Sequence, residues 1–147
     1  MSRKIWIGSG LVVAAIAWYA FRPELLFINK SVSETFPATS VAANSTDSSA
    51  PKQLASGQFK GYAHETQGNA GIFEVSGKRV LRLTDFKTSN GPDVHVYLVA
   101  APDAMDDATV KKAGFIDLGS MKGNMGDQNY DVPDTVDLAK YQAVTIW

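Results

Sequence analysis

Between residues 54 and 147 the apolar side chains recur at every second position in short runs, and glycine or proline closes most of them. That period belongs to a strand, whose successive side chains point to opposite faces, and not to a helix. Leu81 and Leu83 alternate with Val80, Arg82 and Thr84, while Val94, Val96 and Leu98 alternate with His95, Tyr97 and Val99. Residues 71–75 and 79–86 flank Ser76-Gly77-Lys78, a link short enough for a hairpin. Asn90-Gly91-Pro92 reads as a turn, with glycine free to take positive φ and proline fixing its own. Further strands are expected at 115–118 and 141–147, a loop at 121–128, and helical turns at 103–113 and 134–140. Some seven short strands with frequent turns point to an all-β fold, a single sandwich- or barrel-like domain over 54–147.

Two regions of different character precede it. Residues 5–21 form a run of 17 without a charge, interrupted only by Gly8, Ser9 and Gly10. Trp6, Trp18 and Tyr19 lie near its ends, where aromatic rings favour a membrane interface. The reading is a cytoplasmic tail over 1–4 and a transmembrane signal-anchor helix over 5–22, with the bilayer as its partner. Arg3 and Lys4 keep the tail inside, so the chain sits in the cell membrane as a single-pass protein with its C-terminal domain extracytoplasmic. The alternative is a secreted protein freed by cleavage at Ala15-Ile16-Ala17, although Trp18 and Tyr19 are bulky for the far side of such a site.

Residues 23–53 read as a juxtamembrane segment and a flexible Ser/Thr/Ala-rich linker, with nine Ser or Thr between Ser31 and Pro51. So few apolar residues cannot offset the entropy of ordering such a stretch. Asn29-Lys30-Ser31 and Asn44-Ser45-Thr46 fit the glycosylation triplet, which matters only in a eukaryotic host.

Several chemistries are excluded by composition. Fourteen basic residues against fifteen acidic ones give a net charge of -1, without the basic excess of a nucleic-acid binder. No cysteine is present, which excludes a disulfide, a thiolate nucleophile, Cys-ligated zinc and an iron–sulfur cluster within these residues. His64 and His95 are the two histidines and the candidates for a metal- or haem-facing pair. Two histidines do not complete a metal site, so the plainer reading places His64 at the surface and His95 in a packed strand. Odd spacing puts Asp93 and His95 on one face of that strand.

Asp103, Asp106 and Asp107 lack the spacing of a calcium loop and read as a solvated loop. Glu65 and Glu74 form a carboxylate pair only if folding happens to join them. Without a phosphate-cradling glycine loop or a G-x-S-x-G elbow, no catalytic constellation is evident and no cofactor is indicated. Tyr62, Tyr97, Tyr130, Tyr141 and Trp147 are expected to fill a small core rather than form an electron-hopping path.

Gly57-Gln58-Phe59, His64, Gly71 and Val80-Leu81-Arg82-Leu83 with Asp85-Phe86 resemble the opening of the DM13 domain. The resemblance is strongest at Asn90-Gly91-Pro92-Asp93-Val94-His95-Val96-Tyr97-Leu98. It runs on through Ile116-Asp117-Leu118-Gly119, Lys122-Gly123-Asn124, Gln128-Asn129-Tyr130 and Pro133 to Val144-Thr145-Ile146-Trp147. The stretch 22–37 also resembles the lead-in of membrane-anchored bacterial proteins that carry this domain. The resemblance implies a β-sandwich-like extracytoplasmic module and a role in electron transfer, because family members accompany DOMON and cytochrome domains.

Asp85, Phe86, Asn90, Gly91, Pro92, Asp93, Val96, Tyr97, Leu118, Gly119, Gly123, Tyr130, Pro133 and Trp147 carry the motif and read as structural. Domains of the family continue past the Ile-Trp pair into the cysteine on which the redox proposal rests, and one more strand. The β domain is therefore expected to be incomplete at its C-terminus. Two functions follow: membrane-anchored electron transfer at the cell surface with an unidentified redox partner, or a non-catalytic binding module of the cell envelope.

Overall fold

The computed structural model describes residues 3–21, 28–37 and 50–147. Helix α1 (Arg3–Phe21) comes first, followed by β1 (Ser31–Ser33), β2 (Lys52–Gln58), β3 (Gln67–Val75), β4 (Lys78–Lys87) and β5 (His95–Val99). Helix α2 (Asp107–Ala113), β6 (Phe115–Ser120), β7 (Met125–Val132) and β8 (Ala143–Ile146) complete the chain. The strands form two sheets, of order β1-β7-β4-β3-β2 and β6-β5-β8. Every pairing is antiparallel except that of β1 with β7. Both sheets have open ends, so the expected all-β domain is sandwich-like and the barrel alternative is not realised.

Its core forms where the two inner faces meet. Ile72, Leu81, Leu83 and Phe86 come from one sheet and Val96 and Leu98 from the other. Tyr130, Val132 and Val136 join them, while Phe59, Leu118, Tyr141, Val144 and Ile146 pack around the edge. The β3–β4 hairpin closes through a two-residue turn in which Ser76 and Gly77 have φ of 51° and 75°. Positive φ at both positions matches the right-handed twist of the flanking strands. Gly91 departs from expectation: it does not take positive φ, and a Cβ there would press on Val94 Cγ2 at 2.8 Å.

The expected loop at 121–128 is instead the approach to β7 and its first half. Polar letters conceal the strand because its inward side chain Gln128 is fully buried and satisfied within the core. Gln128 Oε1 accepts from Tyr130 Oη at 2.7 Å and from the Gly123 N–H, while Nε2 donates to the Gly123 carbonyl at 2.6 Å.

The stretch read as linker also holds a strand. Ser31, Val32 and Ser33 pair in parallel with Met125, Gly126 and Asp127. The strap 28–37 is fastened along its length. Asn90 Nδ2 donates to the Ile28 carbonyl, and Lys30 N–H donates to Asn124 Oδ1 at 2.7 Å. Glu34 accepts from Lys122 Nζ at 2.8 Å and from the Asn129 N–H at 2.7 Å. Phe36 meets Phe73 edge-on at 5.0 Å and lies under the Arg82 guanidinium. Gly126, at φ 94°, admits the strap: a Cβ there would collide with the Val32 carbonyl. Residues 23–27 and 38–49 of the expected linker, and residue 22 of the expected anchor, lie outside the described residues.

The transmembrane expectation is corrected. Among the described residues no helix is long and apolar enough to cross a membrane. Arg3 and Lys4 take the first two positions of α1, leaving 17 charge-free residues that include Gly8, Ser9 and Gly10. At about 1.5 Å per residue these reach roughly 26 Å, short of a hydrocarbon core of about 30 Å.

Candidate functional site

Alternation along β5 sends Val96 and Leu98 into the core and leaves His95 and Tyr97 on the outer face of the three-stranded sheet. Register supplies their neighbours. Tyr97 lies opposite Asp117 on β6 and Thr145 on β8, and Val99 lies opposite Phe115. Tyr97 stacks on Phe115 at 4.4 Å between ring centroids and lies 6.3 Å from Trp147 and 6.0 Å from His95. Lys111 on α2 brings its ammonium to 5.7 Å from the Trp147 ring. These rings form one contiguous aromatic patch at the surface, and Phe115 is 44% exposed.

A clamped histidine borders this patch. His95 Nδ1 lies 2.9 Å from Asp117 Oδ2, and Nε2 lies 3.3 Å from Asp93 Oδ1 and 3.4 Å from Ser120 Oγ. The hydrogen bond to Asp117 raises the His95 pKa; burial opposes it, and the charges of Asp117 and Asp93 add to the rise. The same bond lowers the Asp117 pKa. Ser120, His95 and Asp117 stand in the order of a Ser-His-Asp relay, yet the chemistry differs. A nucleophile's base must accept its proton on a neutral ring nitrogen. Carboxylates face both ring nitrogens and favour the protonated ring, which works against a role as base for Ser120. The group is a hydrogen-bonded clamp.

His64 lies apart from this patch, in the exposed segment between β2 and β3, where its carbonyl accepts from Thr66 Oγ1 at 3.3 Å. It borders a cleft that His95 does not line. Among the described residues no group of three or more His, Asp or Glu is placed to hold a metal. The acidic triplet is divided among structural tasks. Asp103 accepts from Tyr62 Oη at 2.7 Å, Asp106 caps α2 through the Thr109 N–H, and Asp107 pairs with Lys111 one turn on. The aromatic expectation divides too. Tyr130 is buried and Tyr141 packs on the core, whereas Tyr62 is half exposed and Tyr97 and Trp147 lie on the outer face.

The structure distributes the motif residues over both sheets and the strap contacts. Phe86 and Val96 are buried, and Leu118 packs against the core from β6. Asp85 sits at φ 50° in the irregular end of β4 and donates its N–H to Asp127. Asn90 tethers the strap and accepts the Gly91 N–H. Gly119 at φ 113° donates to Asp117, fixing the carboxylate that clamps His95. Gly123 abuts the strap at Lys30. The Pro133 carbonyl accepts from Val136, and Trp147 exchanges both backbone bonds with His95. Pro92 borders the cleft and Asp93 reaches His95.

That cleft, of about 980 Å³, opens between β2 and β8, the end strands of their sheets. Ile72, Leu81 and Leu98 form part of its lining, and Asp103, Asp106 and Asp107 stand on its wall. Strand letters alone gave no sign of it, because it depends on which strand ends each sheet. Asp117 was likewise hidden: its partnership with His95 is created by the register of β5 against β6.

Comparison with known proteins gives one result. A family model described as "Electron transfer DM13" matches residues 58–147, more than half of the chain. No curated protein and no solved structure matches.

Proposed function

Because the chain belongs to the DM13 family, we propose that it serves electron transfer at a cell surface as a docking domain, meeting a redox protein through the aromatic face of the three-stranded sheet. One observation carries the reading: Tyr97, Phe115 and Trp147 form a contiguous ring cluster on a surface where His95 lies between two carboxylates. Tyrosine and tryptophan dominate the energetics of protein interfaces because they bury large rigid area at low entropic cost. The mixed charges around the rings orient an incoming partner without demanding a strongly charged one.

Attachment to the membrane belongs to the same proposal. Leu11, Val12, Val13, Ile16, Trp18 and Tyr19, with alanines between them, make the second half of α1 apolar all round, and each of the six is more than half exposed. A helix that is apolar all round needs apolar surroundings. We place α1 in the outer part of a bilayer, with the β domain on the extracytoplasmic side. The alternative is an envelope-binding module that uses the same face without passing electrons.

One experiment separates the two. The full chain carries a benzophenone amino acid in place of Phe115 and is irradiated in its native membrane fraction. The expected product absorbs in the visible and is bleached or shifted by dithionite. Tyr97→Ala lowers its yield by about tenfold, the scale of losing one interface anchor. A product without a redox group would replace electron transfer with the binding-module reading.

A further inference from the structure

Asn90 is the one asparagine of six that a glycine follows. The pair lies in the connection from β4 to β5, outside any helix or strand, and both residues are partly exposed. Each is there for a structural reason. Asn90 Nδ2 donates to the Ile28 carbonyl at 3.0 Å and holds the entry of the strap. Gly91 is required by packing, since a Cβ there would press on Val94 Cγ2 at 2.8 Å. Together they form the dipeptide in which the following amide meets least hindrance in reaching the asparagine side chain.

The geometry brings the reacting groups together. Gly91 N–H donates to Asn90 Oδ1 at 3.0 Å, and Cγ is one bond from that oxygen. A nucleophile held beside its electrophile gives up little further entropy to react. The other described asparagines lack this arrangement. After Asn29 the Lys30 N–H is bonded to Asn124 Oδ1, and after Asn124 the Met125 N–H is bonded to the Lys30 carbonyl. Asn69 and Asn129 lie within β3 and β7, where the strand ladder fixes the backbone. Among the described residues, Asn90 alone takes the N–H of the next residue on its own side-chain oxygen.

We propose that Asn90-Gly91 is a site of spontaneous deamidation whose completion releases the entry of the strap. Gly91 N loses its proton to hydroxide and attacks Asn90 Cγ. The N–Cγ bond forms, the Cγ–Nδ2 bond breaks, and Nδ2 leaves as ammonia. The resulting five-membered succinimide is opened by water. Addition at Cγ breaks the bond to Gly91 N there and gives aspartate. Addition at the Asn90 backbone carbon breaks the original peptide bond and gives isoaspartate. One water is consumed for each ammonia released, and no oxidant or reductant takes part.

Both products reverse the contact with the strap. A donor facing the Ile28 carbonyl becomes a carboxylate, which can only accept, so two acceptors oppose each other. Isoaspartate also adds a methylene to the main chain ahead of Gly91 and lengthens the turn that leads to Asp93 and His95. Lys30 and Ser31, next along the strap, lose the anchor on their N-terminal side, while the Glu34 bonds farther on are untouched. The change runs one way, so the chain carries a record of its age at the point where the strap joins the domain. The inference uses a different site from the aromatic face and stands whether or not electrons are passed.

The test ages the full chain in mildly alkaline buffer and follows residue 90 by peptide mass mapping, beside a synthetic peptide of residues 88–94. A gain of one mass unit with an isoaspartate fraction is expected at Asn90, at a rate within a few-fold of the peptide and at least about tenfold above every other described asparagine. Asn90→Gln, whose cyclisation needs a larger ring, should show no conversion over the same time. In the aged wild-type chain, hydrogen exchange at the Lys30 and Ser31 amides should speed by about tenfold, the scale of one lost hydrogen bond. Conversion in the folded chain more than about tenfold slower than in the peptide overturns the proposal, because the fold then shields the pair. Conversion that leaves Lys30 and Ser31 exchange unchanged overturns the release of the strap.

Discussion

At the scale of single residues, the outer face depends on His95. Its folded pKa is raised above the ordinary 6.5, mainly by the bond to Asp117. A raised value means that the clamp's contribution is complete below the unfolded pKa and is lost as pH rises through the folded one. NMR titration of the His95 ring should give a value above 6.5, and Asp117→Asn should return it toward 6.5. In urea melts the midpoint should fall as pH rises above about 6.5, and His95→Gln should flatten that fall. The core carries a second residue-scale test. Tyr130 Oη donates to buried Gln128 and accepts from the Lys122 N–H. Tyr130→Phe leaves both groups without that partner and should cost about 1–3 kcal/mol, read as a lower midpoint at unchanged m-value. The Asp93–His95 relation was legible from odd spacing within one strand. Asp117 was not, since only the pairing of two strands brings it there.

At the scale of elements, the strap is where sequence and structure part most clearly. Residues 28–37 offer few apolar side chains, so nothing in their pattern announces order. Their order comes from partners far along the chain, chiefly Asn124, Asn129, Lys122 and Arg82. The β7 strand was missed for the same reason, because its polar residues are satisfied by the strap and by one another. The hairpin at Ser76-Gly77, by contrast, was legible because its turn chemistry is local. Two outcomes test the strap. Gly126→Ala should cost at least about 1–2 kcal/mol from positive φ alone, and should speed exchange at the Ser31 and Ser33 amides as β1 is displaced. Acid should loosen it as well. Burial acts to raise the Glu34 pKa, but bonds from Lys122 and the Asn129 N–H, with the charges of Lys122 and Arg82, outweigh it and leave the value below 4.5. A depressed carboxylate contributes fully above its unfolded pKa and fails as pH falls through its folded one. Strap exchange should therefore accelerate only below about pH 4.5, and Glu34→Gln should abolish that dependence.

At the scale of the whole molecule, the docked strap changes what the Ser/Thr-rich stretch can do. A linker over 23–53 reads as a stalk that lifts the domain away from the anchor. Yet β1 and β2 are the two end strands of one sheet, so the residues between them begin and end on the same body. Lengthening them cannot lengthen the path from α1 to the domain. That path is set by the steps from Phe21 to Ile28, seven Cα–Cα intervals that extend to at most about 25 Å at some 3.6 Å each. The length of chain thus holds the domain close to α1. The chain contains no cysteine, so a pair introduced by Ala17→Cys and Ser76→Cys can be labelled without background and its separation read by energy transfer. A Gly/Ser insertion within 38–49 should leave the mean separation unchanged, while the same insertion within 22–27 should lengthen and broaden it. The opposite pattern would mean that β1 is not held on β7 in solution and that the stalk begins at Phe21.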